Sequence, residues 1–246
     1  MREIDLTVKE FKDIIGTIGD GASKEIGSGN FGTTFLYKGK LIKTDKILYN
    51  ILKINDPVFA EKNFRDHYRW GRPEFANVEQ IRELASRRHD ITLTKLPEGI
   101  VRVDGKATGI ILPYHENHQA LENLSPMEHE VLIEILKKLR LALMELANNK
   151  ISQEDLSHYP DKWDKKLRYN ILYQGNTPQI IDLEGENVKV GKDFTDAKTM
   201  YNELAFIILD YFRKNKLDTN INFRDINDEH QAKELIEEFE HRLRGK

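Results

Sequence analysis

Gly27-Ser28-Gly29-Asn30-Phe31-Gly32 sets three glycines in one short span, in the order G-x-G-x-x-G. Glycine lets a backbone come close to a phosphate without a Cβ in the way, so that successive N–H groups can donate to its oxygens. The segment after the glycines decides the kind of site. A dinucleotide fold needs a helix directly after them, so that the pyrophosphate meets a helix N-terminus. Here Thr33-Thr34-Phe35-Leu36-Tyr37 comes next, which is β-branched and aromatic and reads as a strand. No Gly-Lys-Ser/Thr closes the loop, so the phosphate loop of the NTPases is excluded as well. What remains is a glycine-rich β-hairpin that lies over phosphates.

With those residues the chain resembles the protein kinase-like family. Gly27–Gly32 with Phe31 matches its G-x-G-x-F-G loop, and Thr34 stands where the family usually has valine. Ile51-Leu52-Lys53-Ile54 matches the strand that carries the family's phosphate-binding lysine. A lysine flanked by isoleucine and leucine is partly buried and needs an anionic partner; if alternation turns it outward, it is only a solvated lysine. The resemblance implies a glutamate on the next helix as that partner. Glu79 is the first choice and Glu83 the second, four apart and so on one face of a helix over Phe75–Arg88. Gly109-Ile110-Ile111-Leu112-Pro113-Tyr114 is similar to the last strand of the family's N-lobe running into its hinge. There, main-chain groups of Pro113, Tyr114 and His115 would hold adenine, with His115 a hinge or surface residue.

Ile151-Ser152-Gln153-Glu154-Asp155-Leu156, then Asn170-Ile171-Leu172-Tyr173, a Gly175-Asn176 turn and Ile180-Ile181-Asp182-Leu183-Glu184-Gly185 come in the family's order. The resemblance implies that Asp155 orients the acceptor hydroxyl and takes its proton, and that Asn170 and Asp182 bind Mg²⁺ beside the phosphates. Three departures stand out. The family places its asparagine five residues after the aspartate, whereas Asp155 and Asn170 are fifteen apart. Either Ser157–Lys166 is an inserted loop, or Asp164, six before Asn170, takes the role. Gln153 stands where histidine is common, and Leu183-Glu184-Gly185 replaces Phe-Gly. An acidic residue two past the metal aspartate is also similar to aminoglycoside and choline kinases. The next helix begins near Asp196 and no Ala-Pro-Glu motif occurs, so no long phosphorylation-controlled loop is expected. The implied function is an ATP- and Mg²⁺-dependent phosphotransferase acting on protein Ser/Thr hydroxyls. The alternatives are a pseudokinase serving as a nucleotide-binding interaction module, and a small-molecule kinase.

The elements that must position these residues change character along the chain. Strand-like runs and turn signals fill the first part: Ser23–Ile26, Thr33–Tyr37, Leu41–Ile42, Leu48–Ile54, Ile100–Val103 and Thr108–Pro113, with hairpin turns at Lys38-Gly39-Lys40 and Asp104-Gly105. A short helix over Leu6–Ile15 precedes them, capped by Thr7 and burying Phe11, Ile14 and Ile15. Beyond about residue 125 the pattern is mainly helical. Ser125-Pro126-Met127-Glu128 reads as a capping box with proline at the first helical position. The helix behind it, with Leu132, Leu136, Leu139, Leu143 and Leu146, and also Val131, Ile133, Ile135, Leu141 and Met144, is apolar on most sides. Two more helices complete the chain, one burying Tyr201, Leu204, Ala205, Ile208, Tyr211 and Phe212, the other Ala232, Leu235, Ile236, Phe239 and Leu243. The expected fold is α+β: a two-lobed protein kinase-like fold, with a β-rich N-lobe over residues 1–113 and a small, mainly helical C-lobe over 114–246.

Composition is consistent with this. The 246 residues include no cysteine, which removes disulfides, thiolate metal sites and cysteine nucleophiles. Thirty-eight basic and 41 acidic side chains give a net charge of -3, where a nucleic-acid binder needs a basic excess. Acidic residues at Glu3 and Asp5 do not suit a signal peptide, and no apolar run approaches the ~20 residues that span a bilayer. The expectation is a cytoplasmic protein without nucleic-acid or membrane partners, or an effector exported by a non-classical signal.

Overall fold

The computed structural model describes residues 1–18, 23–28, 32–54, 56–69, 75–125, 128–158, 168–194, 197–215 and 226–244. Among these the chain is mixed α+β, with one six-stranded sheet, three small sheets and seven α-helices. It divides into two compact units: residues 1–86 with 96–115, and residues 87–95 with 116–244 of the described chain.

The first unit contains β1 (Arg2–Leu6), α1 (Val8–Gly16), β2 (Ser23–Ser28), β3 (Gly32–Tyr37), β4 (Lys40–Asp45), α2 (Lys46–Lys53), α3 (Pro57–Arg69), α4 (Val78–Ser86), β5 (Gly99–Val103) and β6 (Lys106–Leu112). The strands order as β1-β5-β6-β4-β3-β2, antiparallel except where β1 runs parallel to β5. The turns read from sequence are present, with Lys38 and Gly39 at φ 47° and 71° and Asp104 and Gly105 at 46° and 77°. These are the left-handed values that two-residue hairpin turns require. Register sorts the two faces of the sheet. Phe35, Ile42 and Ile111 are cross-strand neighbours. They share one buried cluster with Phe11 and Ile15 of α1, Leu48 and Leu52 of α2, and Phe64 of α3. One residue along, Thr34, Lys43, Ile110 and Ile100 are cross-strand neighbours and face the other way.

Thr7 caps α1 through a complete box: its hydroxyl accepts the Glu10 N–H, and the Glu10 carboxylate accepts the Thr7 N–H at 2.7 Å. Those bonds hold the Glu10 carboxyl below its usual range, the backbone N–H of Thr7 contributing most. Thr7→Ala should cost about 1 kcal/mol in urea denaturation. Because the folded pKa of Glu10 is depressed, its contribution is present above the unfolded pKa and is lost as pH falls through the folded one.

Leu48–Ile54, expected as a strand, is instead helix α2. Asp45 caps it, accepting the Leu48 N–H at 2.8 Å, and Leu48, Tyr49 and Leu52 recur with helical spacing on its buried face. Helix α3 was not anticipated, although Asp56-Pro57 is a start signal; the Asp56 carboxylate accepts the N–H groups of Val58 and Phe59, both at 3.0 Å. The helix expected over Phe75–Arg88 is the shorter α4, which lies against β5.

The second unit contains β7 (Gln119–Ala120), α5 (His129–Asn148), β8 (Ile151–Gln153), β9 (Ser157–His158), β10 (Arg168–Tyr169), β11 (Ile171–Gln174), β12 (Thr177–Ile180), β13 (Val188–Val190), α6 (Lys198–Lys214) and α7 (Glu229–Arg244). It is less helical than expected, because its strands are too short to leave a periodic signal. They form three small sheets: β12-β11-β7, β13-β8 and β10-β9. Helix α5 is the axis, packed on by α6, α7, β8 and β12. Its apolar face is narrower than expected, since Leu141 is exposed and Val131 and Met144 only half-buried. It starts at His129, after Ser125 donates its N–H to the Glu128 carboxylate at 2.9 Å; Pro126 and Met127 lie outside the described residues.

Candidate functional site

In the first unit, β2 leads into the glycine-rich span and β3 leads out of it, with Ser28 opposite Thr33. The pairing of two strands around the glycines is the hairpin expected from the sequence. Gly29, Asn30 and Phe31 lie outside the described residues, as does the Ser28 side chain. Of the two described glycines of the set, Gly27 and Gly32, the second is the crowded one. A Cβ there would sit 3.3 Å from both Cγ and Cε of Lys43 and 3.1 Å from the Thr44 carbonyl oxygen. The Lys43 stem therefore lies across the end of the glycine-rich span, on β4.

Lys53, expected on a strand and partly buried, is at the C-terminal end of α2 with an exposed side chain. Its ammonium is 3.8 Å from Glu25 of β2 and 5.4 Å from the centroid of the Tyr49 ring. Glu79 is exposed in the first turn of α4, and Glu83 is half-buried one turn on. Pro113, Tyr114 and His115 come directly after β6, in irregular backbone. Reading the strand as ending at Ile42 hid Lys43; the Leu41-Ile42-Lys43 pattern straight after a hairpin turn is the signal that could have found it.

In the second unit a hydrogen bond joins Asp155 to Asn170, and Asp182 follows Ile181, whose N–H donates to the Asn170 carbonyl at 3.0 Å. The fifteen-residue separation of Asp155 and Asn170 is closed by β9 and β10, which pair antiparallel, His158 with Arg168 and Ser157 with Tyr169. At the base of that hairpin the Asn170 N–H donates to the Leu156 carbonyl at 2.8 Å, and its side-chain Nδ2 donates to the Asp155 carbonyl. Committing Nδ2 in this way leaves the buried amide's Oδ1 as its oxygen donor. Asp164 lies outside the described residues.

Asp182 comes after β12 with φ 56°, a left-handed backbone that costs a residue with a Cβ about 1 kcal/mol or more. The Gln153 side chain, 1% exposed, fixes it by donating Nε2 to the Asp182 carbonyl at 2.8 Å. Leu183, next along, is buried. The backbone then turns at Gly185, φ 89°, into β13, which pairs with β8. That pairing brings up Asn187, which no sequence motif singles out. Its carbonyl accepts the Glu154 N–H at 2.9 Å, and its Nδ2 donates to the Asp155 carboxylate at 3.3 Å. Nothing local in the sequence marks Asn187, because its role depends on pairing between distant strands.

Two oxygen donors, the Asn170 amide and the Asp182 carboxylate, suit a hard cation such as Mg²⁺, which takes few protein ligands and fills its shell from phosphates and water. Among the described residues no three His, Asp or Glu side chains group as a self-sufficient metal site, and no helix is long and apolar enough to cross a membrane. No protein-family model matches the chain, and no curated protein matches its sequence.

Proposed function

We propose that the chain is a phosphotransferase of the protein kinase-like superfamily, using ATP and Mg²⁺ to phosphorylate serine or threonine hydroxyls of a protein. The observation that carries this reading is the junction of Asp155 and Asn170. The family's spacing of five is exceeded by ten residues, and a paired hairpin takes up the excess, so that Asn170 still reaches the Asp155 backbone. Next to it, the Ile181 N–H donates to the Asn170 carbonyl, and Gln153 holds the Asp182 carbonyl. In this reading Asp155 orients the acceptor hydroxyl and takes its proton. Asn187 holds one carboxylate oxygen of Asp155, which orients the other. Asn170 and Asp182 would hold Mg²⁺, which neutralises phosphate charge when bound.

The first unit supports the reading through Lys43. Protein kinases cover the phosphates with a glycine-rich loop and place the phosphate-binding lysine on the third strand. Counted from the strand that enters the glycines, β2, the third is β4, and Lys43 on it lies across Gly32. Lys43 therefore takes the role expected of Lys53 from the sequence. Glu79 or Glu83 of α4 would be its carboxylate partner, and main-chain groups at Pro113–His115 would hold adenine.

Incubation with γ-labelled ATP, Mg²⁺ and a generic protein substrate tests this. The unmodified protein should transfer label and Asp155→Asn should lose at least about a hundredfold in rate. ATP binding without transfer would overturn the enzyme reading in favour of a pseudokinase, and retained transfer in Asp155→Asn with loss in Asp164→Asn would move the base to Asp164. Half-buried Glu184, two residues past Asp182, favours a second reading, a small-molecule kinase; that enzyme would turn over ATP only when a metabolite pool is added.

A further inference from the structure

We infer that Tyr49 and Glu25 form a latch that fixes β2, the strand leading into the glycine-rich span, making both positioning residues for phosphate binding. The inference rests on the proposed phosphotransfer function, in which the Gly27–Gly32 span covers phosphates. Strand β2 needs such a hold. Among the described residues it is the edge of the sheet, paired to β3 alone, and its register shifts between Glu25 and Gly27, at the first of the glycines. An edge strand with a bulge and glycines at its end has little of its own to fix its pitch.

The fixed point is helix α2. Tyr49 is 3% exposed, with its ring centroid 6.2 Å from that of Phe35, which sits 6.3 Å from Phe11. From this anchored ring the phenol O–H donates to the Glu25 carboxylate at 2.7 Å. Burial, then the bond to Glu25 and its charge, push the Tyr49 hydroxyl far above its ordinary pKa, so it remains a donor at any physiological pH. Lys53 stands 3.8 Å from the same carboxylate oxygen but is 57% exposed, so it adds little. The hydrogen bond from core to edge strand is the working part, and it attaches two residues before Gly27.

The test uses the full chain and two readouts. Tyr49→Phe keeps the ring and removes only the hydroxyl; Glu25→Gln keeps an acceptor oxygen for Tyr49; Glu25→Ala keeps neither charge nor acceptor. In protein without nucleotide, amide hydrogen exchange across Ser23–Ser28 should speed up about tenfold in Tyr49→Phe and Glu25→Ala, with exchange in α5 unchanged. The dissociation constant for MgATP, titrated directly, should rise about tenfold in the same two variants and stay within about twofold of the unmodified protein in Glu25→Gln. An unchanged exchange rate in β2, or an MgATP affinity that Tyr49→Phe leaves untouched, overturns the latch alone. Failure of the unmodified protein to bind MgATP overturns the phosphotransfer reading, and the latch's nucleotide role with it.

Discussion

Under the proposed phosphotransfer, Asp182→Asn and Lys43→Met should each reduce γ-phosphoryl transfer by about a thousandfold, while Lys53→Met lowers it at most a few-fold. Phosphoryl transfer is mainly positioning and charge neutralisation, so removing one full charge at the phosphates or at the Mg²⁺ costs far more than removing a solvated one. Asp182→Asn keeps the size and the carbonyl that Gln153 holds at 2.8 Å, and asparagine tolerates the left-handed backbone at that position. Its loss is therefore one of charge and not of fold, and thermal unfolding of the variant should match the unmodified protein. Lys43→Met keeps the unbranched stem over Gly32 and deletes only the ammonium. The contrast with Lys53 is the discriminating part. If Lys53→Met abolishes transfer and Lys43→Met does not, the strand assignment of the phosphate-binding lysine is wrong.

The largest expected change in stability is at Phe239. It is fully buried in α7, with its ring centroid 5.5 Å from those of both Tyr211 and Phe212 on α6, and edge-on to both. Phe239→Ala removes a large side chain from a site bounded by two aromatic rings, which cannot collapse to fill it. The expected loss is about 3–5 kcal/mol in urea denaturation. Arg140 pairs with Glu229 and Lys137 with Glu240 at 2.9 Å, tying α7 to α5, but these half-buried pairs do not fill the space that the ring leaves. A measured loss below about 1 kcal/mol would mean that α7 does not pack as described.

How much of this was legible depends on whether the signal is local. Thr7 with Glu10, the Lys38-Gly39 and Asp104-Gly105 turns, and the helical stripes of α6 and α7 are each written within a few residues, and the structure has them there. Ile51-Leu52-Lys53-Ile54 fits a strand and a helix equally well, as short apolar runs do. The arbiter was Asp45, six residues before Ile51, whose carboxylate caps the helix. Strand β1 was missed because its partner, β5, lies almost a hundred residues away, and the exposed side chains of an edge strand carry little pattern. Within the candidate site, the residue types and order around Asp155, Asn170 and Asp182 could be read directly. Asn187 and the Tyr49–Glu25 bond could not, since both come from contacts between separate elements.

The hairpin that closes between Asp155 and Asn170 has a consequence for how this chain can be altered. Because Ser157 pairs with Tyr169 and His158 with Arg168, the two strands meet where the chain leaves the Asp155–Asn170 junction. Each doubling of such a loop costs only about 0.6 kcal/mol in closure entropy. Residues inserted between β9 and β10 should therefore cost little stability in urea denaturation, with the Asp155–Asn170 junction kept.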